Sequence, residues 1–580
     1  MVKDINNISY NDIKAYICEE DQYNDIIKDY SKLIEFNSNE PWYYNMRGCA
    51  YCNQKEFEKA VLDFSKAIEF DGNEPLYYHN RGNAYEELSQ YNEALIDYTK
   101  VIERDNSKAS YYRSRGNIYY YLKQYEEAIQ DYTRCIQIDD QWVEVYHNRA
   151  ICYSTLNCFD QARADYTKAI ELNNKMPKYY KNRALLYWQF KEYNKALEDL
   201  RQMLAINEKN YKAHNYIGLI YCEQEDYEQA LIAFSKAIEC NNRFAEAYYN
   251  RGGIYYNQER YKDAIEDLDS AIKNDDQFLL AYYSRGKIYY DMGKYKEALD
   301  DLSKSIKLDR DHQVISIYHN QGINLYYERG SLYDKLEEYV NAIEDYTRAI
   351  ELDDKNVLYY KKRACACYEI GEYEVAKIDF AKAIDMEPKD FESYNSMGMI
   401  YYEEKKYEEA VEQLNKAIEH NDQFSEAYLN RGLNYHALGM VDQAIMEYTR
   451  AIELNPKFTA AYYARAYLYE YEAYYDNAVE DYTRVIDLDS ANESYYIDRA
   501  NIYRKLTKYK EAIKDYSYVI NRNSRHFDAY LGRADAYREQ GNLDAAIRDY
   551  EAANSIKMGL EVKKPTLLDK FVGTINDIFG

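Results

Sequence analysis

Apolar and small residues recur along this chain at helical spacing, in two consecutive stripes that repeat together. In the stretch 75–108, Tyr78, Gly82 and Tyr85 fall at i, i+4 and i+7 and predict one amphipathic helix. Ala94, Tyr98, Val101 and Ile102 predict a second, with Gly82 and Ala94 small where the two helices meet. Moving on by 34 residues returns the same order as Tyr112, Gly116, Tyr119, Ala128, Tyr132 and Cys135. Another such step gives Tyr146, Ala150, Tyr153, Ala162, Tyr166 and Ala169.

Regular copies start at 41, 75, 109, 143, 177, 211, 245 and 279, filling 41–312. The period then slips by the ten residues 313–322, QVISIYHNQG, and seven further copies fill 323–560. The inserted stretch has no Pro, so it predicts either a lengthened first helix of the ninth copy or a loop ending near Gly322. Residues 1–40 hold a degenerate copy in which Tyr23 and Tyr30 keep their places but Lys14 replaces the small residue, the expected form of an N-terminal capping repeat. In 561–580, Thr566 and Asp569 have capping-box spacing and Leu567, Leu568, Phe571, Val572, Ile575 and Phe579 form an apolar stripe. We read a C-terminal capping helix there; a membrane-surface helix needs more basic residues than Lys570.

A 34-residue period with an aromatic–Gly–Tyr–Ala–aromatic order resembles the tetratricopeptide repeat, here about sixteen copies. The resemblance implies an all-α solenoid, a right-handed superhelix of antiparallel helix pairs whose first helices line a concave groove for partner proteins. One ligand mode of that family clamps the C-terminal carboxylate of acidic peptides. Carried over by position, its residues are Arg113 and Asn117, then Asn148, then Lys178. Arg113 stands for a Lys, and Asn182 occupies a place where Arg is expected. A second candidate lining is aromatic: Tyr249, Tyr256, Tyr283, Tyr290 and Tyr327.

Composition narrows the function. Seventy-four Tyr against 20 Gly and only 6 Pro suit packed helices without breakers. A net charge of −27 argues against nucleic-acid backbones as partners. No signal-like start and no membrane-length apolar run are present, and ten cysteines without a secretory signal fit a reducing compartment, so a cytoplasmic protein without membrane partners is expected. There is no HExxH, phosphate-cradling Gly loop or GxSxG. Cys49 and Cys52 form a lone CxxC inside a predicted helix, with only His79 as a further ligand, so no metal site and no cofactor are expected. Cys365 and Cys367 sit on a similar helix and read as packing thiols.

One polar pattern remains. Thirteen of the fifteen regular copies carry Arg just before the small residue of the first helix, and an acid sixteen residues later on the second. Arg81 with Asp97, Arg115 with Asp131, and Arg149 with Asp165 are examples. The two exceptions lose both members, as Ile217 with Ala233 and Met397 with Gln413, although the preceding acids Asp199 and Asp379 are retained. This predicts structural ion pairs within each repeat, beside the groove. The expected function is a non-catalytic scaffold binding extended peptide segments of other proteins. The alternatives are an assembly protein that oligomerises through its superhelix, and a regulatory subunit or co-chaperone binding an acidic C-terminal tail.

Overall fold

The computed structural model describes residues 20–309 and 324–557, which form thirty-one α-helices and no strand. Lys14, the insertion 313–322 and the stripe from Leu567 to Phe579 lie outside the described residues. From Pro41 onward the helices come in pairs. First helices begin at Pro41, Pro75, Ala109, Val143, Pro177, Tyr211, Ala245 and Leu279, and again at Val357, Phe391, Ser425, Thr459, Glu493 and Phe527. These are the starts that the period predicts.

The turn inside each pair has one geometry. After the first helix Pro41–Asn53, Lys55 takes φ 62° and the N–H of Glu56 donates to the carbonyl of Tyr51 at 2.9 Å. The left-handed residue lets the last carbonyls of the helix find donors, as in a Schellman end. The equivalent residue is left-handed in all fifteen pairs, yet it is Gly only at 293, 371, 439 and 541. Thr507, β-branched at φ 59°, bears the largest steric penalty of these. Thr507→Gly is expected to raise thermal stability by up to about 1 kcal/mol, the strain relieved less the entropy glycine loses on folding. A lower melting temperature would show that the turn is unstrained.

Within a pair, the ring from the second helix seats on the small residue of the first. A Cβ added at Gly82 would lie 2.8 Å from Tyr98 Cε1, and one at Gly116 2.8 Å from Tyr132 Cε1. That close approach puts the Tyr98, Tyr132, Tyr346, Tyr448, Tyr482 and Tyr516 rings among the most buried side chains of the protein. The hydroxyl at the far end of each ring still requires a partner. Tyr98 donates to Asn83 at 2.7 Å and Tyr132 to Asn117 at 2.9 Å, both on the first helix of the same pair.

The chain divides into two compact units, residues 1–281 and 282–580. In the first, the helix Glu20–Phe36 packs on Pro41–Asn53 and seven regular pairs stack behind it. In the second, Tyr295–Leu308 packs directly on Leu325–Lys335, across the inserted residues. The first helix of the ninth copy starts at Leu325, two residues later than the period places it. The reason is local: the Asn324 side chain accepts from the N–H groups of Tyr326 and Tyr327 at 3.1 and 3.2 Å, an N-cap that stops the helix from continuing upstream.

Candidate protein-binding face

The Arg–acid pairs have closed geometry. Arg81 Nε and Nη2 donate to Asp97 Oδ2 and Oδ1, both at 2.7 Å, and Arg149 holds Asp165 in the same fork at 2.7 Å. Arg115 and Asp131 repeat it at 2.7 and 2.8 Å. All thirteen pairs form a contact of 2.7–2.8 Å, from Arg47–Asp63 to Arg533–Asp549. In repeat twelve the acid is the longer Glu447; Arg431 Nη2 takes both its oxygens, and Arg431 Nε is left buried without a partner.

A third partner was not anticipated. The remaining nitrogen, Nη1, donates to a side chain of the preceding second helix: Ser65 from Arg81 at 3.0 Å, Thr133 from Arg149 at 2.9 Å, Thr483 from Arg499 at 3.0 Å. Each such Arg ties its own first helix to two consecutive second helices. The ladder therefore runs from one second helix to the next through the first helix between them. Rings of the same helix flank the guanidinium, Tyr78 and Tyr85 at 5.8 Å from Arg81. Burial pushes the Asp131 carboxyl above its ordinary value against the pull of Arg115, while the hydrogen bond to Asp131 raises Arg115 in turn. The pair stays ionised and desolvated together.

First helices of neighbouring repeats also touch one another, as Pro41–Asn53 touches Pro75–Glu87. Side-chain amides bridge them: Asn80 donates to Asn45 at 2.8 Å, Asn250 to Asn215 at 3.0 Å and Asn430 to Asn395 at 2.9 Å. Of the expected carboxylate-clamp residues, two meet directly. Asn148 donates to Asn117 Oδ1 at 3.3 Å, the same oxygen that receives the Tyr132 hydroxyl. Lys178 is engaged within the chain, donating to both oxygens of Glu144 at 2.8 and 2.9 Å. Arg113 is different. Its guanidinium lies over the Trp142 ring, 4.6 Å from the centroid, and no described side chain forms a hydrogen bond or ion pair with it. Its Nε and the Trp142 Nε1 are both buried without a partner.

The five tyrosines divide between the units. In the first, Tyr249 packs on Phe278 at 5.1 Å and Tyr256 on Tyr261 at 6.1 Å. In the second, Tyr283 is buried, Tyr290 meets Tyr295 at 5.7 Å, and Tyr327 lies between Tyr346 and Tyr359 at 6.1 and 5.2 Å. All five are at least half-committed to the packing of the pairs.

Tetratricopeptide-repeat family models match residues 109–141, 143–176, 245–278, 280–312, 323–356 and 425–458. Further models of this repeat match 48–89, 218–259 and 398–439, 76–108, 177–210, 359–390 and 459–492, 380–412, and 497–557. The chain belongs to the tetratricopeptide-repeat family.

Solved structures similar to this tetratricopeptide-repeat protein include YrrB, described as having an unusual peptide-binding site, at 21% identity over 32% of this chain and 95% of its own, TM-score 0.30. Yeast Tom70 is 18% identical over 75% and 96%, TM-score 0.32. The APC/C hetero-tetramer Cut9–Hcn1 is 14% identical over 86% and 98%, TM-score 0.34. No curated protein matches the chain.

Among the described residues of the tetratricopeptide-repeat array, no group of three or more His, Cys, Asp and Glu is placed to hold a metal ion. Cys49 and Cys52 are buried, and burial holds Cys49 well above the usual thiol range and Cys52 up at about 12, which suppresses thiolate chemistry. Cys365 is exposed and Cys367 buried. No described helix is long and apolar enough to cross a membrane. The hydroxyl corner of the ladder had a sequence signal. A Ser or Thr lies sixteen residues before most of the arginines, and the corresponding places before Ile217 and Met397 hold Arg201 and Ala381.

Proposed function

We propose that the protein is a non-catalytic scaffold that holds extended, acidic segments of partner proteins against its first-helix face, with Arg113 as the anchoring charge. The observation that carries this reading is the Arg113 guanidinium, held over the Trp142 ring with no hydrogen bond or ion pair to a described side chain, in a protein of net charge −27. A planar, weakly hydrated cation held against an aromatic face is suited to a carboxylate in fork geometry. Asn117, one turn further along the same helix, and Asn148 on the next first helix are already joined and offer amide contacts to an extended backbone. Half-buried Tyr249 and Tyr256 in the first unit, and Tyr290 and Tyr327 in the second, supply apolar area at low entropic cost.

The test is fluorescence anisotropy with an acidic peptide, with free and with amidated C-terminus, against wild type and Arg113→Ala. Loss of affinity by roughly 1–3 kcal/mol in the variant is expected for an anchoring charge. Equal binding by both proteins would remove Arg113 from the site. Equal binding of both peptide forms would assign the contact to acidic side chains and not to a terminal carboxylate. Light scattering of the wild type separates the scaffold from an assembly protein, which would elute as a concentration-dependent polymer.

A further inference from the structure

We infer that the array opens preferentially at two junctions, one in each unit: between repeats five and six, and between repeats ten and eleven. In a solenoid each repeat contacts only its neighbours, so stability is close to a sum of repeat and interface contributions, and the weakest interface sets where the stack first parts. The Arg ladder is part of that interface. In twelve of its rungs Nη1 crosses to the preceding second helix, as from Arg149 to Thr133 and from Arg465 to Thr449.

At the two junctions all three corners of the rung are absent together. Ile217 and Met397 replace the Arg, Ala233 and Gln413 the acid, and Arg201 and Ala381 the hydroxyl. Losing Arg and acid together leaves no buried charge, so the interior of each repeat is not thereby weakened. What the ladder loses is its bond between repeats. Among the described residues no ion pair stands in for it between repeats five and six. Between repeats ten and eleven Lys377 reaches Glu404 at 2.8 Å, and Lys361 reaches Asp390 and Glu392 at 3.1 and 2.7 Å, so the first junction is the weaker of the two. Two observations agree. Arg201 and Ala381 are exposed, whereas Thr133, Thr167 and Thr483 at the same place in linked junctions are partly covered by the following repeat. Packing between Tyr193–Ile206 and Tyr211–Glu223 is the thinnest of any junction in the first unit, and in the second unit Tyr373–Met386 on Phe391–Glu403 shares that rank with the junction beside the insertion. The breaks stand five repeats apart. They divide the ladder into separately braced blocks, and this holds whether or not Arg113 binds an acidic segment.

Hydrogen exchange of the full-length protein, followed by mass spectrometry, tests the inference. Amides of 211–223 and 391–403 are expected to exchange roughly tenfold faster than those of 143–155 and 459–471, the factor set by one charge-assisted hydrogen bond. Installing the rung with Arg201→Thr, Ile217→Arg and Ala233→Asp should slow 211–223 toward its neighbours and leave 391–403 unchanged. Thr483→Ala, which removes the crossing bond of an intact junction along with the hydroxyl's own bond to the Val479 carbonyl inside its helix, should accelerate 493–505 severalfold without a change of fold. Uniform exchange along the wild-type array, or a Thr483→Ala variant indistinguishable from wild type, would overturn the proposal.

Discussion

Arg149→Met should lower the opening free energy of the fourth repeat by about 3–5 kcal/mol, the cost of stranding a buried charge. Its partner Asp165 has a side chain only 8% exposed, so a carboxylate without its guanidinium has neither a counterion nor solvent. The Thr133 hydroxyl also loses its donor, which adds the separation of repeats three and four to the damage. The double replacement Arg149→Ile with Asp165→Ala, which copies Ile217 and Ala233, should cost less than Arg149→Met alone, because no charge is then left buried. Native-state hydrogen exchange localised to 143–172 reads the effect, since a long array does not unfold in two states. A double variant less stable than the single one would mean that the rung acts through packing and not through charge.

The stability of the first unit should fall between pH 6.5 and pH 4, with His79 contributing about 3 kcal/mol of the loss. His79 is buried against Tyr98 and Tyr111, at 5.8 and 5.1 Å, and its Nε2 has no partner. Burial, with Lys108 and Arg113 nearby, lowers it from 6.5 to about 4. The unfolded chain therefore binds a proton through this window that the folded chain refuses, so stability present above pH 6.5 is lost progressively down to pH 4 and then levels off. Buried carboxyls act with the opposite sign. Glu86 and Asp131, raised by burial, take up protons more readily in the fold than in the unfolded chain. The measurement is therefore the difference between wild type and His79→Gln, followed by chemical unfolding at each pH. A difference that does not change from pH 7 to pH 4 would show that His79 charges freely in the fold.

The period alone placed nearly every helix start, because the small residue, the buried ring and the turn all recur in one register. Ile217 and Met397 made the ladder legible, since each loses its acid as well, and a pair that disappears jointly points to contact. The third corner carries no charge signal: a neutral Ser or Thr on the preceding second helix becomes conspicuous only once the Arg is seen to have a spare nitrogen. The groove was harder. Family positions say which residues stand on the first helices but not what else claims them. Lys178 is taken by Glu144, which occupies the same place one repeat earlier, and Asn117 by the hydroxyl of a ring whose buried end was the obvious one. Arg113 could be singled out only once Trp142, just before the next first helix, was found beneath it.

One rung spans an unusual distance in sequence. Arg329 reaches Ser303, 26 residues back, where arginines such as Arg81 and Arg149 reach a partner 16 back, and the bond is the ordinary 3.1 Å. The rung thus keeps its geometry although ten more residues separate its two ends in sequence. Extra chain between two fixed ends costs only about 0.6 kcal/mol for each doubling of its length. This junction is therefore a natural graft point, a place where the chain takes on foreign sequence, such as a tag, a protease site or a second binding module, without the array registering it.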